Sequence, residues 1–118
     1  MEREYTCSEI VGIISAIAKA QERLAEYNDR DNDYKGAEAD YDAGKPGAAI
    51  RMLDAYHERE KAEKAYKRAA KKVVEALGLD VKNYEDFDMI RWSTSIYRAD
   101  TFLWCVWNRA KEIINRNC

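Results

Sequence analysis

Residues 10–41 read IVGIISAIAKAQERLAEYNDRDNDYKGAEADY, and this stretch decides the fold. Its apolar and aromatic residues alternate three and four positions apart, which places two rows of side chains on one face of a helix. The first row is Ile10, Ile17, Leu24, Asp31 and Glu38, and the second is Ile13, Ala20, Tyr27, Tyr34 and Tyr41. The pattern predicts one long helix over residues 8–43.

A Gly-Lys-Pro-Gly turn at residues 44–47 follows this helix. Glycine accepts the left-handed backbone that ends many helices, and proline cannot continue one. A second stripe with the same spacing covers residues 48–77 and stops before Gly78. At 1.5 Å rise per residue the two helices would be about 54 and 45 Å long. We predict that they form a long antiparallel αα-hairpin.

The two stripes also predict a register for the hairpin. With the turn centred near residues 45 and 46, residues whose numbers sum to about 91 lie at the same height. Ile17 then faces Val73, and Asp31 falls beside Arg59, so that apolar meets apolar and polar meets polar. Gly36 lowers helix stability by up to about 1 kcal/mol, so the pattern leaves open whether the first helix continues through it.

Two shorter helices are expected after Gly78. Asn83 is a suitable N-cap for a third helix, and Asp100 for a fourth. The third helix should carry Phe87, Ile90, Trp92, Ile96 and Tyr97, and the inward stripe of the fourth should be Leu103, Val106, Trp107, Ala110, Ile113 and Ile114. This stripe omits Phe102 and Trp104. We therefore expect residues 1–118 to form a single all-α domain, with the C-terminal pair packed on the base of the hairpin and the tip left uncovered.

Composition narrows the function classes. The chain has 20 Lys and Arg against 22 Asp and Glu, so its net charge does not indicate a nucleic-acid partner. The first residues lack the pattern of a secretory signal, and the longest apolar run, residues 102–107, is too short for a membrane span. Cys7, Cys105 and Cys118 are an odd number without C-x-x-C spacing, which suits a reducing compartment. We expect a cytoplasmic protein without a membrane partner.

The sequence contains no convincing catalytic or metal site. Asp29, Asp31 and Asp33 resemble the start of a calcium loop, but Tyr34 stands where that loop needs glycine and Asp40 where it usually has glutamate. His57 is the one imidazole, and Cys105 lies among apolar neighbours rather than beside an activating base. We therefore expect no enzyme activity, no metal and no cofactor. One alternative remains for an enzyme: a magnesium-dependent all-α hydrolase, with carboxylates gathered between helices. It ranks behind the two binding hypotheses given below.

Charge is distributed unevenly along the hairpin. Residues 29–42 hold six carboxylates against Arg30 and Lys35, whereas residues 51–72 hold eight Lys and Arg against four Asp and Glu. We favour the interpretation that the two runs neutralise each other across the hairpin. In the alternative, the acidic helix imitates nucleic-acid phosphates and blocks a nucleic-acid-binding partner. Because glutamates are interleaved with the basic stretch, direct nucleic-acid binding is not expected.

The leading hypothesis is a small protein-binding accessory or inhibitory factor of the bacterial or phage type. Its partner would be another protein with a basic surface, since tyrosines supply binding energy and carboxylates steer association. The candidate partner-binding residues are Asp29, Asp31, Asp33, Tyr34, Asp40, Tyr41 and Asp42 at the tip, together with Phe102 and Trp104. The sequence leaves homo-oligomer formation open.

Overall fold

A computed structural model describes residues 4–117; Cys118, counted among the cysteines above, lies outside them. The described chain is all-helical: α1 spans Cys7–Asp42, α2 Ala48–Leu77, α3 Tyr84–Ser93 and α4 Ala99–Asn117, and one 3₁₀ turn at Ile96–Arg98 precedes α4. α1 and α2 pack along their lengths, and α3 and α4 pack against the hairpin. The predicted hairpin is confirmed, and α1 continues through Gly36 without a break.

Local signals fix the ends of the long helices. At the start of α1, the Glu9 N–H donates to Thr6 Oγ1 and the Thr6 N–H donates to Glu9 Oε1, each at 3.1 Å, which forms a capping box. Gly44 ends α1 with φ 73°, and the Lys45 N–H donates to the Asp40 carbonyl across it at 3.0 Å. This Schellman motif reverses the chain where the sequence predicted the turn.

Ion pairs show the register of the two helices. Arg59 Nη1 lies 3.1 Å from Asp31 Oδ1, and Arg51 Nη2 lies 3.8 Å from Asp40 Oδ2. The residue numbers of these pairs sum to 90 and 91, in agreement with the predicted register.

The core lies at the base of the hairpin, where the C-terminal helices cover it. α1 contributes Ile10, Ile13, Ile17 and Ala20, α2 contributes Tyr66, Ala69, Ala70, Val73 and Leu77, and the C-terminal part contributes Met89, Ala99, Phe102, Leu103, Val106, Ala110 and Ile113. Burying this apolar surface is the main source of stability.

One buried charge orders the C-terminal pair. Asn83 caps α3 as predicted, accepting from the Glu85 and Asp86 N–H groups at 3.0 and 3.3 Å. The buried Asp86 carboxylate accepts from the Asp80 N–H at 3.0 Å and from Arg109 of α4 at 3.1 Å. A buried carboxylate is tolerated when it is paired and hydrogen-bonded in this way, and the pair ties α3 to α4.

Several side-chain placements differ from the sequence-based prediction. α4 begins at Ala99 after the 3₁₀ turn, so Asp100 lies inside its first turn instead of capping it. α3 ends at Ser93, before Ile96 and Tyr97, and its Phe87 is half exposed. The predicted inward stripe of α4 was right for Leu103 and Val106 but wrong at two positions: Phe102, which it omitted, is fully buried, and Trp107 is 40% exposed. α1 and α3 both pack against α4. These tertiary contacts, rather than the spacing of its apolar residues, determine which face of α4 is buried.

The placement of Phe102 predicts unequal effects of truncating two neighbouring aromatics. Phe102→Ala removes a fully buried ring and should lower the free energy of unfolding by about 3–5 kcal/mol. Trp104→Ala, at a side chain that is 70% exposed, should change it by less than about 1 kcal/mol. Urea denaturation followed by circular dichroism measures both, and equal losses would contradict the placement of α4.

Tyr66 supplies a second test of the core. Its side chain is fully buried, and its hydroxyl has no hydrogen-bond partner within residues 4–117. Burial, together with the nearby charge of Asp100, raises the pKa of Tyr66. Tyr66→Phe keeps the ring and removes the unsatisfied hydroxyl, so thermal and urea unfolding should show a gain of about 1 kcal/mol. A loss of that size would mean that the hydroxyl has a stabilising partner.

Candidate functional site at the tip of the hairpin

The candidate tip residues lie on an arm that the C-terminal helices leave uncovered. We call residues 28–62 the distal arm; within it, Ala48 and Ala62 alone are buried. The arm is a two-helix layer with no third element on it. The described chain is elongated, with extents of 62 × 26 × 17 Å along its principal axes. Side chains on its flanks are therefore available to another molecule.

Asp31 is held inside the arm rather than offered at its surface. Its carboxylate is hydrogen-bonded to Arg59 of α2 at 3.1 Å and paired with Lys35 of α1 at 3.0 Å. Hydrogen bonds from Lys35 and Arg59 lower the pKa of Asp31, against the smaller opposing effect of burial between them. Asp31 is thus a link between the two helices.

Tyr34 belongs to the same internal network. The Arg59 guanidinium carbon lies 4.1 Å above the centre of the Tyr34 ring, and the Tyr56 ring lies 6.0 Å away at an angle of 60°. Cation–π and tilted ring contacts of this kind favour the paired helices. The Tyr56 hydroxyl donates to Glu60 at 2.8 Å, and this bond raises the pKa of Tyr56. Tyr34 therefore serves the packing of the arm.

The remaining acidic residues fall into two groups. Asp40 pairs with Lys45 at 3.1 Å and with Arg51 across the turn, and Asp33 pairs with Arg30 at 3.3 Å on the exposed side of α1. Asp29, Glu38 and Asp42 have no ion pair within 4.0 Å among the described residues. Arg51 and Arg59 of α2 thus neutralise part of the acidic run of α1. This agrees with the interpretation that the two charged runs compensate each other across the hairpin.

The exposed apolar side chains at the tip include two that the sequence reading missed. Ile50 is 70% exposed, Leu53 is 56% exposed, and Tyr41 is 51% exposed. Ile50 and Leu53 stand three residues apart and off the buried stripe of α2, on the side that faces away from α1. Large apolar residues at helical spacing outside the core stripe were the available signal. Tyr41, on the stripe of α1 that faces α2, is the third exposed apolar side chain near the turn.

The two aromatic candidates of α4 do not join these exposed side chains. Phe102 is buried in the core, which rules it out as a contact residue. Trp104 lines a groove of about 740 Å³ between α3 and α4, together with Tyr84, Met89 and Trp92. The sequence-predicted site is thus divided between the tip and this groove.

The possible catalytic groups are not assembled. Burial raises the pKa of the Cys105 thiol, which makes it less reactive. His57 is exposed, with its ring edge against Tyr56 at 5.9 Å. Among residues 4–117, no three His, Cys, Asp or Glu side chains are grouped so that they can hold a metal ion. In the same residues, no helix has the length and apolar character needed to cross a membrane.

Comparisons with known proteins return no relative on which to base a function. The chain matches no protein-family model, no curated protein and no solved structure.

Proposed function

We propose that the protein is a small binding factor that docks on the basic surface of another protein through the tip of its hairpin. The contact surface, called the tip patch, consists of Tyr41, Asp42, Ile50, Leu53 and Asp54. The exposure of Ile50, Leu53 and Tyr41 on an arm without a third layer carries this proposal.

The tip patch combines two kinds of contact. Ile50, Leu53 and Tyr41 offer apolar area that gains free energy when a partner excludes water from it. Asp42 and Asp54 are exposed and have no ion pair among the described residues, so their charge is available to a basic partner. Unpaired surface carboxylates chiefly raise the association rate and select the partner.

The internal contacts of the arm make this patch rigid. Asp31, Tyr34 and Arg59 join the helices midway along the arm, and Asp40, Lys45 and Arg51 join them at the turn. A surface that is ordered before binding loses less conformational entropy when it docks. Tyr34 and Asp31 therefore act as positioning residues in this proposal.

The nucleic-acid mimic is less well supported. Mimicry needs uncompensated carboxylates along α1, but Glu22, Glu26, Asp33 and Asp40 each have a Lys or Arg nitrogen within 4.0 Å. These pairs leave less uncompensated negative charge along α1 than mimicry requires. A basic protein surface that also buries apolar side chains fits the tip patch better.

Replacing the apolar part of the tip patch should remove partner binding. The full chain, immobilised by its C-terminus, is used to capture a partner from a lysate of the source organism, and affinity for the purified partner is then measured by calorimetry. Ile50→Ser with Leu53→Ser should weaken binding by about 2 kcal/mol or more, because both apolar anchors are lost. Asp42→Lys with Asp54→Lys should chiefly slow association.

Val11→Ser with Val81→Ser is the matched control, since these two valines are 62% and 61% exposed and lie away from the tip. This variant should bind like the parent, and all variants should melt within a few degrees of it. Equal loss of affinity in the tip variant and the control would refute the tip as the docking site. Loss in Trp104→Ala alone would assign binding to the groove between α3 and α4.

A further inference from the structure

The hairpin carries a second charged surface in the segment next to the distal arm, at residues 19–23 of α1 and 65–72 of α2, which we call the stem. The tip patch does not use this surface. A cleft of about 170 Å³ between α1 and α2 is lined by Lys19, Arg23, Arg68 and Lys72, with Ala65 and Ala69 also lining it. No residue of α3 or α4 lines this cleft. We call these four cations and the two alanines the basic cleft.

The basic cleft has a regular geometry. Lys19 and Arg23 are one turn apart on α1, and Arg68 and Lys72 are one turn apart on α2. In the observed register, Lys19 is level with Lys72 and Arg23 is level with Arg68, so the four cations occupy the corners of a rectangle. Helices in contact lie about 8–10 Å apart, and four residues of a helix advance about 6 Å along its axis.

This grouping of four cations lowers the free energy of unfolding when no anion neutralises their charge. Like charges four residues apart on a helix repel each other, and the antiparallel pairing brings two such pairs together. Lys19 has Glu22 at 3.7 Å and Arg23 has Glu26 at 2.9 Å, but Arg68 and Lys72 have no ion pair among the described residues. The cleft therefore retains positive charge that an anionic ligand can neutralise.

The glutamates interleaved with the basic stretch of α2 do not pair with Arg68 or Lys72. Glu58 pairs with Lys61 at 3.5 Å, Glu63 pairs with Lys67 at 2.9 Å, and Glu60 accepts from the Tyr56 hydroxyl. Lys64 and Lys71, on the same helix as Arg68 and Lys72, also have no ion pair among the described residues. The uncompensated charge thus extends beyond the cleft.

We propose that the four cations of the basic cleft bind the phosphodiester backbone of single-stranded nucleic acid, while Lys64 and Lys71 add positive charge beside the cleft. A row of cations that continues past the cleft fits a strand with repeated phosphates better than a single small anion. The small volume of the cleft, about 170 Å³ between two packed helices, favours the backbone of one strand over a duplex. α2 has no exposed large apolar residue between Tyr56 and Val81 that can insert into lipid, which argues against a membrane surface.

This binding should be independent of base sequence, since contacts to phosphates carry no sequence information. No aromatic ring lines the cleft to stack on bases. The binding also goes beyond the proposed docking function and uses different residues. A protein with an acidic, apolar tip and a basic stem can contact both a nucleic-acid-binding protein and the strand that this protein holds. Loss of either activity leaves the other measurable.

The test uses fluorescence anisotropy with mixed-sequence 20-nucleotide single-stranded DNA and RNA. With four phosphate contacts and a slope of about 0.7 per contact, Kd should rise about 50-fold between 50 and 200 mM salt. Arg68→Gln with Lys72→Gln leaves two contacts and should reduce this rise to about 7-fold. The same variant should melt at or above the temperature of the parent, because like-charge repulsion is removed.

Two further variants make the result decisive. Lys82→Gln with Arg98→Gln removes the same amount of charge from exposed positions outside the cleft. Arg68→Lys with Lys72→Arg changes the cleft residues but keeps their charge. Both variants should retain the 50-fold rise in Kd. An unchanged salt dependence in the Arg68→Gln, Lys72→Gln variant would overturn the proposal. So would binding to vesicles of anionic phospholipid or to tripolyphosphate in the absence of binding to either oligonucleotide.

Discussion

The antiparallel seam between α1 and α2 is the constraint on which the rest of the structure depends. Its heptad spacing puts Ile13 and Ile17 on the same side as Asp31 and Tyr34, so one stripe serves both the core and the arm. A shift of register by one residue would separate Asp31 from Arg59 and disturb the apolar layers at the base. Register is therefore specified at both ends, by packing at the base and by ion pairs toward the turn.

The seam also determines which surfaces remain available. α3 and α4 cover the base, where the stripe is aliphatic, and the arm beyond it is held by cross-helix contacts around Arg59. The same register places Lys19 level with Lys72 at the stem. The two proposed surfaces, the tip patch and the basic cleft, thus follow from one pairing of helices.

The sequence predicted the hairpin well because its signals were local and redundant. The Thr6 capping box, the turn at residues 44–47 and two stripes of matching period all point to the same architecture. It did not predict the rotation of α4, because the six apolar residues at 102–107 carry no helical phase, and contacts with α1 and α3 decide whether Phe102 or Trp107 is buried. The site was only partly predictable for a similar reason. Tyr34 and Tyr41 share a stripe, but Arg59 contacts the Tyr34 ring, while Tyr41 is half exposed next to the turn.

The most direct test of the account is the length and straightness of α1 in solution, since the distal arm and its tip patch depend on an unbroken helix through Gly36. Nitroxide labels at the exposed positions Gln21 and Asp42, in a chain whose three cysteines are replaced by serine, allow this distance to be measured by pulsed electron double resonance. A continuous helix places the two Cα atoms about 31 Å apart at 1.5 Å per residue. The account predicts one narrow distribution near that value. A broad distribution, or one centred well below it, would show a break in the arm and contradict the account.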